Sequence, residues 1–162
     1  MNVPQLSQGD IFQAALRVQV AVVFGHVGFN EMRIRWATFA ATQAKLSHVK
    51  DPFTELAGRA VEWCPGRWLW FIAEEENHGM TDAQVMRALD TALSWASQKG
   101  LTSAATNGIA NTDHGGHSTT DNRRSDEQRA ALLTDYAKRA EQNYGLAIEL
   151  ISMNDVFTRA RQ

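Results

Sequence analysis

An apolar run without a polar interruption, VAVVF, occupies residues 20–24 and ends at Gly25. A strand with one face in water alternates polar and apolar residues, whereas a strand covered on both faces is apolar throughout. The run therefore predicts a strand in the middle of a sheet, with further structure packed against both of its faces.

Candidate strands and helices alternate along the rest of the chain. Two of the helices begin with a predicted capping box, at Thr81–Gln84 and at Ser125–Gln128, in which side chains satisfy the first backbone N–H groups. The predicted strands are 16–24, 59–64, 68–73, 101–106 and 146–152, and the predicted helices are 30–45, a turn at 51–52, 81–99, 125–144 and a short one from 154.

Pro65-Gly66 stands between two of these strands and is typical of a type II turn, which predicts a hairpin. A hairpin makes the sheet mixed rather than purely parallel. Alternating strands and helices predict an α/β fold, a three-layer α/β/α sandwich with a mixed central sheet. No repeat or linker divides the chain, so we expect a single domain over residues 1–162.

The composition narrows the function classes. A formal net charge of -2 argues against general nucleic-acid binding, and the single cysteine excludes a multi-cysteine zinc site. The sequence has no apolar stretch of membrane-span length and no secretory signal pattern, so we expect a cytoplasmic protein that does not enter a membrane. The sequence does not indicate whether the chain is a monomer or an oligomer.

A long polar segment, residues 107–124, follows the predicted strand 101–106. Ligands of α/β proteins bind beyond the carboxyl ends of the strands, and a loop of this length is more often functional than a short one. Glycines at 108, 115 and 116 allow backbone N–H groups to approach an anion closely. The segment is thus a candidate phosphate cradle, and an ordinary surface loop is the alternative.

The same segment contains Asp113, His114 and His117, whose carboxylate and imidazole groups could hold zinc or another divalent metal. Their spacing matches no zinc signature. A metal-dependent hydrolase built on this cluster is therefore the alternative function.

Three stretches resemble a macro domain, the α/β module that binds ADP-ribose. QGDIF at residues 8–12 is similar to the family's early Gly-Asp-Ile-Thr motif. Residues 87–116 resemble its helix, strand and second phosphate loop, and residues 146–160 resemble its closing strand and helix. The resemblance implies ADP-ribose, or an ADP-ribosylated substrate, as the ligand, with no further cofactor.

The resemblance also implies roles for individual residues. Asp10 would accept a hydrogen bond from the adenine amino group, and Ile11 would lie alongside the base, although a capping role and a core position are the alternatives. Ser152 and Met153 would line the other side of adenine. Backbone amides would wrap the diphosphate in the stretch formed by Asn107, Gly108, Ile109, Ala110 and Asn111, and Gly25 belongs to what remains of the first phosphate loop.

The chain departs from the family where FGHVGFNEMR replaces an Asn-Ala-Ala-Asn-like segment. The candidate catalytic residues are therefore His26, Asn30 and His114, because an imidazole titrates near neutrality and can act as a general base. A helix N-cap is the simpler role for Asn30. Because of this departure, the resemblance supports binding of ADP-ribose more strongly than it supports hydrolysis of an ADP-ribosyl bond.

Two charged groups have open interpretations. Arg33 and Arg35 follow the altered segment and could pair with a phosphate or another anionic group of a ligand, or they could simply face solvent. The acidic run at residues 74–76 could hold a metal or a sugar hydroxyl, or form a solvated turn.

Overall fold

Strands and helices alternate throughout the computed structural model, which describes residues 3–25, 30–74, 80–108 and 126–159. The elements of these ranges are β1 Gln5–Gln8, α1 Ile11–Ala14, β2 Val20–Gly25, α2 Asn30–Ala41, α3 Pro52–Glu55, β3 Ala60–Cys64, β4 Arg67–Ala73, α4 Asp82–Gln98, β5 Ser103–Thr106, α5 Asp126–Tyr144, β6 Ala147–Ser152 and α6 Val156–Arg159.

The six strands form one sheet in the order β1-β6-β5-β2-β4-β3. β3 pairs antiparallel with β4 through the predicted hairpin, and all the other pairs are parallel. The predicted mixed sheet is therefore confirmed. The carboxyl ends of β1, β6, β5, β2 and β4 meet along one side of the sheet, which we call the carboxyl edge.

β2 explains why the apolar run has no polar member. Val20, Val22 and Phe24 belong to the core under α4 and α5, whereas Ala21 and Val23 belong to the core under α1, α2 and α3. Side chains alternate between the two faces of a strand, and here both faces are covered by helices. The arrangement confirms the three-layer α/β/α sandwich.

Local sequence signals fix several element ends as predicted. The Thr81 side chain accepts from the Gln84 amide at 3.1 Å, and the Gln84 side chain accepts from the Thr81 amide at 2.9 Å, so the first capping box is present. Gly66 in the hairpin turn has a φ of +79°, which favours glycine. No helix in the ranges that the structure describes is long and apolar enough to cross a membrane.

The structure corrects the N-terminal part of the prediction. Residues 5–8 form the parallel edge strand β1, which the pattern does not predict, and β2 begins at Val20 rather than at residue 16. β1 reads QLSQ, because an edge strand is only partly covered and tolerates polar side chains. The predicted helix 30–45 ends earlier, at Ala41.

Candidate functional site

The carboxyl edge brings together the described residues that were predicted to contact a ligand. Asp10 follows β1, Met153 follows β6, and Asn107 follows β5. Neighbouring strands are about 4.8 Å apart, so the ends of β1 and β5, separated by β6, lie about 10 Å apart across the sheet. An extended ligand could therefore contact all three positions.

Asp10 is held in a fixed position at this edge. Its Oδ1 accepts hydrogen bonds from the Phe12 amide at 3.2 Å and from Arg35 Nη1 at 2.8 Å. Asp10 is thus the N-cap of α1, and its carboxylate is also the partner of a cation from α2. Oδ2 has no hydrogen bond to any residue in the described part of the chain.

The two arginines of α2 differ in their surroundings. Arg33 is exposed, as expected of a solvated side chain. Arg35 is only 15% exposed and pairs with Asp10, an intramolecular partner that the sequence analysis did not predict.

Ile11 lies in the core, with only 1% of its surface exposed. Its side chain packs in the cluster that also contains Phe12 and Trp36, as the core alternative expects, and its predicted contact with a base stays a prediction. Burial of Ile11 and Phe12 anchors α1 and therefore the carboxylate that caps it.

Ser152 and Met153 have different exposures at the end of β6. Ser152 is 7% exposed, its carbonyl accepts from the Gly9 amide at 2.8 Å, and its Oγ donates to Asn154 Oδ1 at 3.0 Å. Met153 is 45% exposed, and its carbonyl accepts from Gln8 Nε2 at 3.2 Å. Met153 is therefore the more accessible of the two for contact with a planar base.

The Asn107 side chain is part of the sheet. Its Oδ1 accepts from the Phe24 amide at 2.8 Å, and its Nδ2 donates to the Phe24 carbonyl at 2.9 Å, so the carboxamide extends the pairing of β2 with β5. The Gly108 amide donates to Thr106 Oγ1 at 3.1 Å. The Gly108 amide thus has an acceptor within the protein, and its predicted contact with a diphosphate stays a prediction.

Several predicted residues lie outside the described ranges. They are His26, Ile109, Ala110, Asn111, Asp113, His114 and His117, together with the side chain of Asn30. Their catalytic, diphosphate-binding and metal-binding roles stay predictions.

Gly25 has a structural role at the end of β2. A Cβ at this position would lie 2.4 Å from Cζ of Phe53, whose ring packs edge-on against Phe71 at 5.4 Å. The absence of a side chain lets this ring approach the backbone, and the Gly25 carbonyl accepts from the Glu74 amide at 2.8 Å.

Gly25→Ala is expected to lower the free energy of unfolding by about 2 kcal/mol, because the Phe53 ring must move from a packed position. Urea unfolding of the wild type, Gly25→Ala, Phe53→Leu and the double variant measures the effect as a cycle. Gly25→Ala should lower the free energy of unfolding clearly less in the Phe53→Leu background, because leucine is smaller than phenylalanine. An equal cost in both backgrounds would contradict the steric explanation.

A buried charged cluster at the same edge was missed by the sequence analysis. Glu74, directly after β4, is 5% exposed, so the solvated-turn interpretation is wrong for this residue. Arg129 of α5 is 2% exposed, and its Nε donates to Asp82 Oδ1 at 2.9 Å. Burial raises the pKa of Glu74 to about 8, and the positive charge of Arg129 opposes this rise.

Several polar atoms of this cluster have no hydrogen bond to the part of the chain that the structure describes. Both carboxyl oxygens of Glu74, and Nη1 and Nη2 of Arg129, are buried and have no hydrogen-bond partner among the residues that the structure describes. The sequence contains one signal that Glu74 is buried, which is its position relative to the residues of β4. Glu74 continues the alternation of β4 after Trp70 and Ile72, which face the core under α4 and α5.

Comparisons with known proteins identify the fold. No protein-family model and no curated protein matches the sequence. A Trypanosoma brucei macrodomain crystallised in complex with ADP-ribose is similar over 96% of this chain and 66% of its own, with a TM-score of 0.60 and 12% identity. Another crystal structure of the trypanosomal macrodomain has a TM-score of 0.61 and 13% identity, and the similarity covers 96% of this chain and 64% of its own.

An Oceanobacillus iheyensis macrodomain variant is similar over 96% of this chain and 87% of its own, with a TM-score of 0.53 and 16% identity. The chain thus spans about two thirds of the trypanosomal chains, at 66% and 64%, and most of the bacterial one. These structures share the sheet and the flanking helices with this chain, which has the macrodomain fold.

Proposed function

We propose that the carboxyl edge of the sheet binds ADP-ribose or a related NAD-derived nucleotide. One observation carries the proposal: Asp10, the residue expected to read adenine, is fixed beside the ends of β1 and β6 with Oδ2 left over. The fold supports it, because a macrodomain of the same architecture has been crystallised with ADP-ribose.

The arrangement offers separate positions for the base and for the diphosphate of such a ligand. Asp10 Oδ2 accepts from the amino group of adenine, and the exposed side chain of Met153 packs against the ring. The diphosphate then extends across β6 toward the end of β5, where Thr106 leads into the predicted phosphate segment. The spacing of the strand ends, about 10 Å, suits a ligand whose base and phosphates are bound at different strands.

Asp10→Ala is expected to weaken ADP-ribose binding by about 2 kcal/mol, which is about thirtyfold in Kd, because a hydrogen bond to a charged acceptor is lost. Isothermal titration calorimetry with free ADP-ribose measures this change. Asp51→Ala is a matched control, since Asp51 caps α3 by accepting from the Phe53 amide at 3.1 Å, as Asp10 caps α1. An absence of heat for the wild type at near-millimolar ADP-ribose would exclude the proposed ligand.

We also propose hydrolysis of an ADP-ribosyl bond as an activity of this site, resting on the predicted bases His26 and His114. The expected result is release of ADP-ribose from a modified protein, and loss of that release in His26→Ala or His114→Ala. Wild-type rates in both variants would remove these roles. Metal analysis of untagged protein tests the alternative centred on Asp113, His114 and His117, which requires about one bound metal per chain.

A further inference from the structure

Arg35 reaches the candidate adenine position from a different element than Asp10 does. It lies on α2, and its Nη1 donates to Asp10 Oδ1 at 2.8 Å, with 15% and 20% of the two side chains exposed. Nε is buried without a hydrogen-bond partner in the described ranges, and Nη2 makes no hydrogen bond to a residue of those ranges. The guanidinium is therefore fixed at one nitrogen and has a second donor to offer beside the carboxylate.

We infer that Arg35 determines base specificity in this site, by donating a hydrogen bond from Nη2 to a ring nitrogen of the purine whose amino group Asp10 accepts. The inference rests on the proposed binding of an adenine nucleotide. It adds to Asp10 a second side chain that recognises the base. Asp10 alone would recognise an amino group, whereas Asp10 with Arg35 recognises an amino group and the neighbouring acceptor together.

The chemistry of adenine matches this pair of groups. The 6-amino group is a donor, and it has an acceptor beside it on either edge, N1 on one and N7 on the other. Asp10 Oδ2 is an acceptor, and Arg35 Nη2 is a donor on the same guanidinium group whose Nη1 bonds to Asp10 Oδ1. A planar guanidinium fixed through one nitrogen keeps its other donor in a defined direction, which lysine cannot do.

The ion pair also suits an anionic ligand. An isolated carboxylate about 10 Å from a diphosphate would repel it. Arg35 neutralises Asp10 at a separation of 2.8 Å while leaving Oδ2 able to accept. Amino-group recognition and diphosphate binding are thereby compatible at one edge of the sheet.

A purely structural role is the competing explanation, in which the ion pair only attaches α2 to the cap of α1. The two explanations differ in their dependence on the ligand. If the role is structural, mutating Arg35 lowers the affinity by the same factor whichever ring nitrogens the ligand has. If Arg35 contacts the base directly, the loss of affinity disappears for a ligand that lacks the contacted nitrogen.

The test is calorimetric titration of the wild type, Arg35→Met and Arg33→Met with ADP-ribose and with its 1-deaza-adenine and 7-deaza-adenine analogues. Arg33 is the matched control, because it is an exposed arginine of the same helix. Arg35→Met should weaken ADP-ribose binding about tenfold or more, and should weaken binding of one deaza analogue less than about twofold. Arg33→Met should leave all three affinities within about twofold of the wild type.

The outcomes separate the two proposals. A wild type that binds none of the three ligands would reject the proposed function. A wild type that binds ADP-ribose, with an Arg35→Met loss that is absent or equal for all three ligands, would overturn the role of Arg35 and leave the proposed function standing. Thermal unfolding of each variant shows whether an equal loss reflects a damaged fold.

Discussion

Arg129→Met is expected to lower the free energy of unfolding by about 3 kcal/mol, because it removes a buried cation together with its charge-assisted hydrogen bond to Asp82. Arg129 is 2% exposed and bonds through Nε to Asp82 Oδ1 at 2.9 Å. The substitution also removes the positive charge that lowers the pKa of the buried Glu74 carboxyl. Two acidic groups at the carboxyl edge thus lose the same cation.

Urea unfolding followed by tryptophan fluorescence measures this loss, and Arg159→Met is the control. Arg159 forms an ion pair with Glu127 at 3.0 Å, but 45% and 59% of the two side chains are exposed. A surface pair of this kind contributes under about 1 kcal/mol. Equal losses for the two variants would contradict the claim that burial makes the Arg129 pair important for stability.

The layered fold was predictable because its signals are local or periodic. The apolar run at 20–24 reflects two covered faces, and the Thr81–Gln84 capping box depends on residues three positions apart. β1 and α1 lacked such signals. β1 is a polar edge strand of four residues, and α1 is a helix of four residues, too short to show a helical period.

The candidate site was predictable only in part, since its geometry depends on contacts between distant segments. Asp10 was identified from a motif, but its pairing with Arg35 joins residues 25 positions apart and requires α2 to pack beside α1. Glu74 was misjudged for the same reason. An acidic run resembles a solvated turn in sequence, and only the packing of α4 and α5 decides that its first member is buried.

Glu74→Gln is expected to make the protein more stable than the wild type at alkaline pH, by up to about 3 kcal/mol, and to have little effect near pH 4.5. The pKa of Glu74 is about 8 in the folded protein and close to its ordinary value of 4.5 in the unfolded chain. Between these values unfolding releases a proton, so the wild type loses stability as the pH rises. The glutamine side chain of the variant cannot ionise and avoids this loss.

Stability measured by urea unfolding at several pH values from 4.5 to 9 tests the linkage, with the difference between variant and wild type as the quantity of interest. Other titrating groups contribute equally to both proteins and cancel in this difference. The difference should grow through the interval and level off above pH 8, where Glu74 is ionised in both states. A pKa shift corresponds to about 1.4 kcal/mol per unit, and the expected limit of about 3 kcal/mol is smaller than the full shift would give because water entering the cluster screens the charge. A difference that does not change with pH would show that the Glu74 carboxyl titrates at its ordinary pKa and that the charged cluster is open to water.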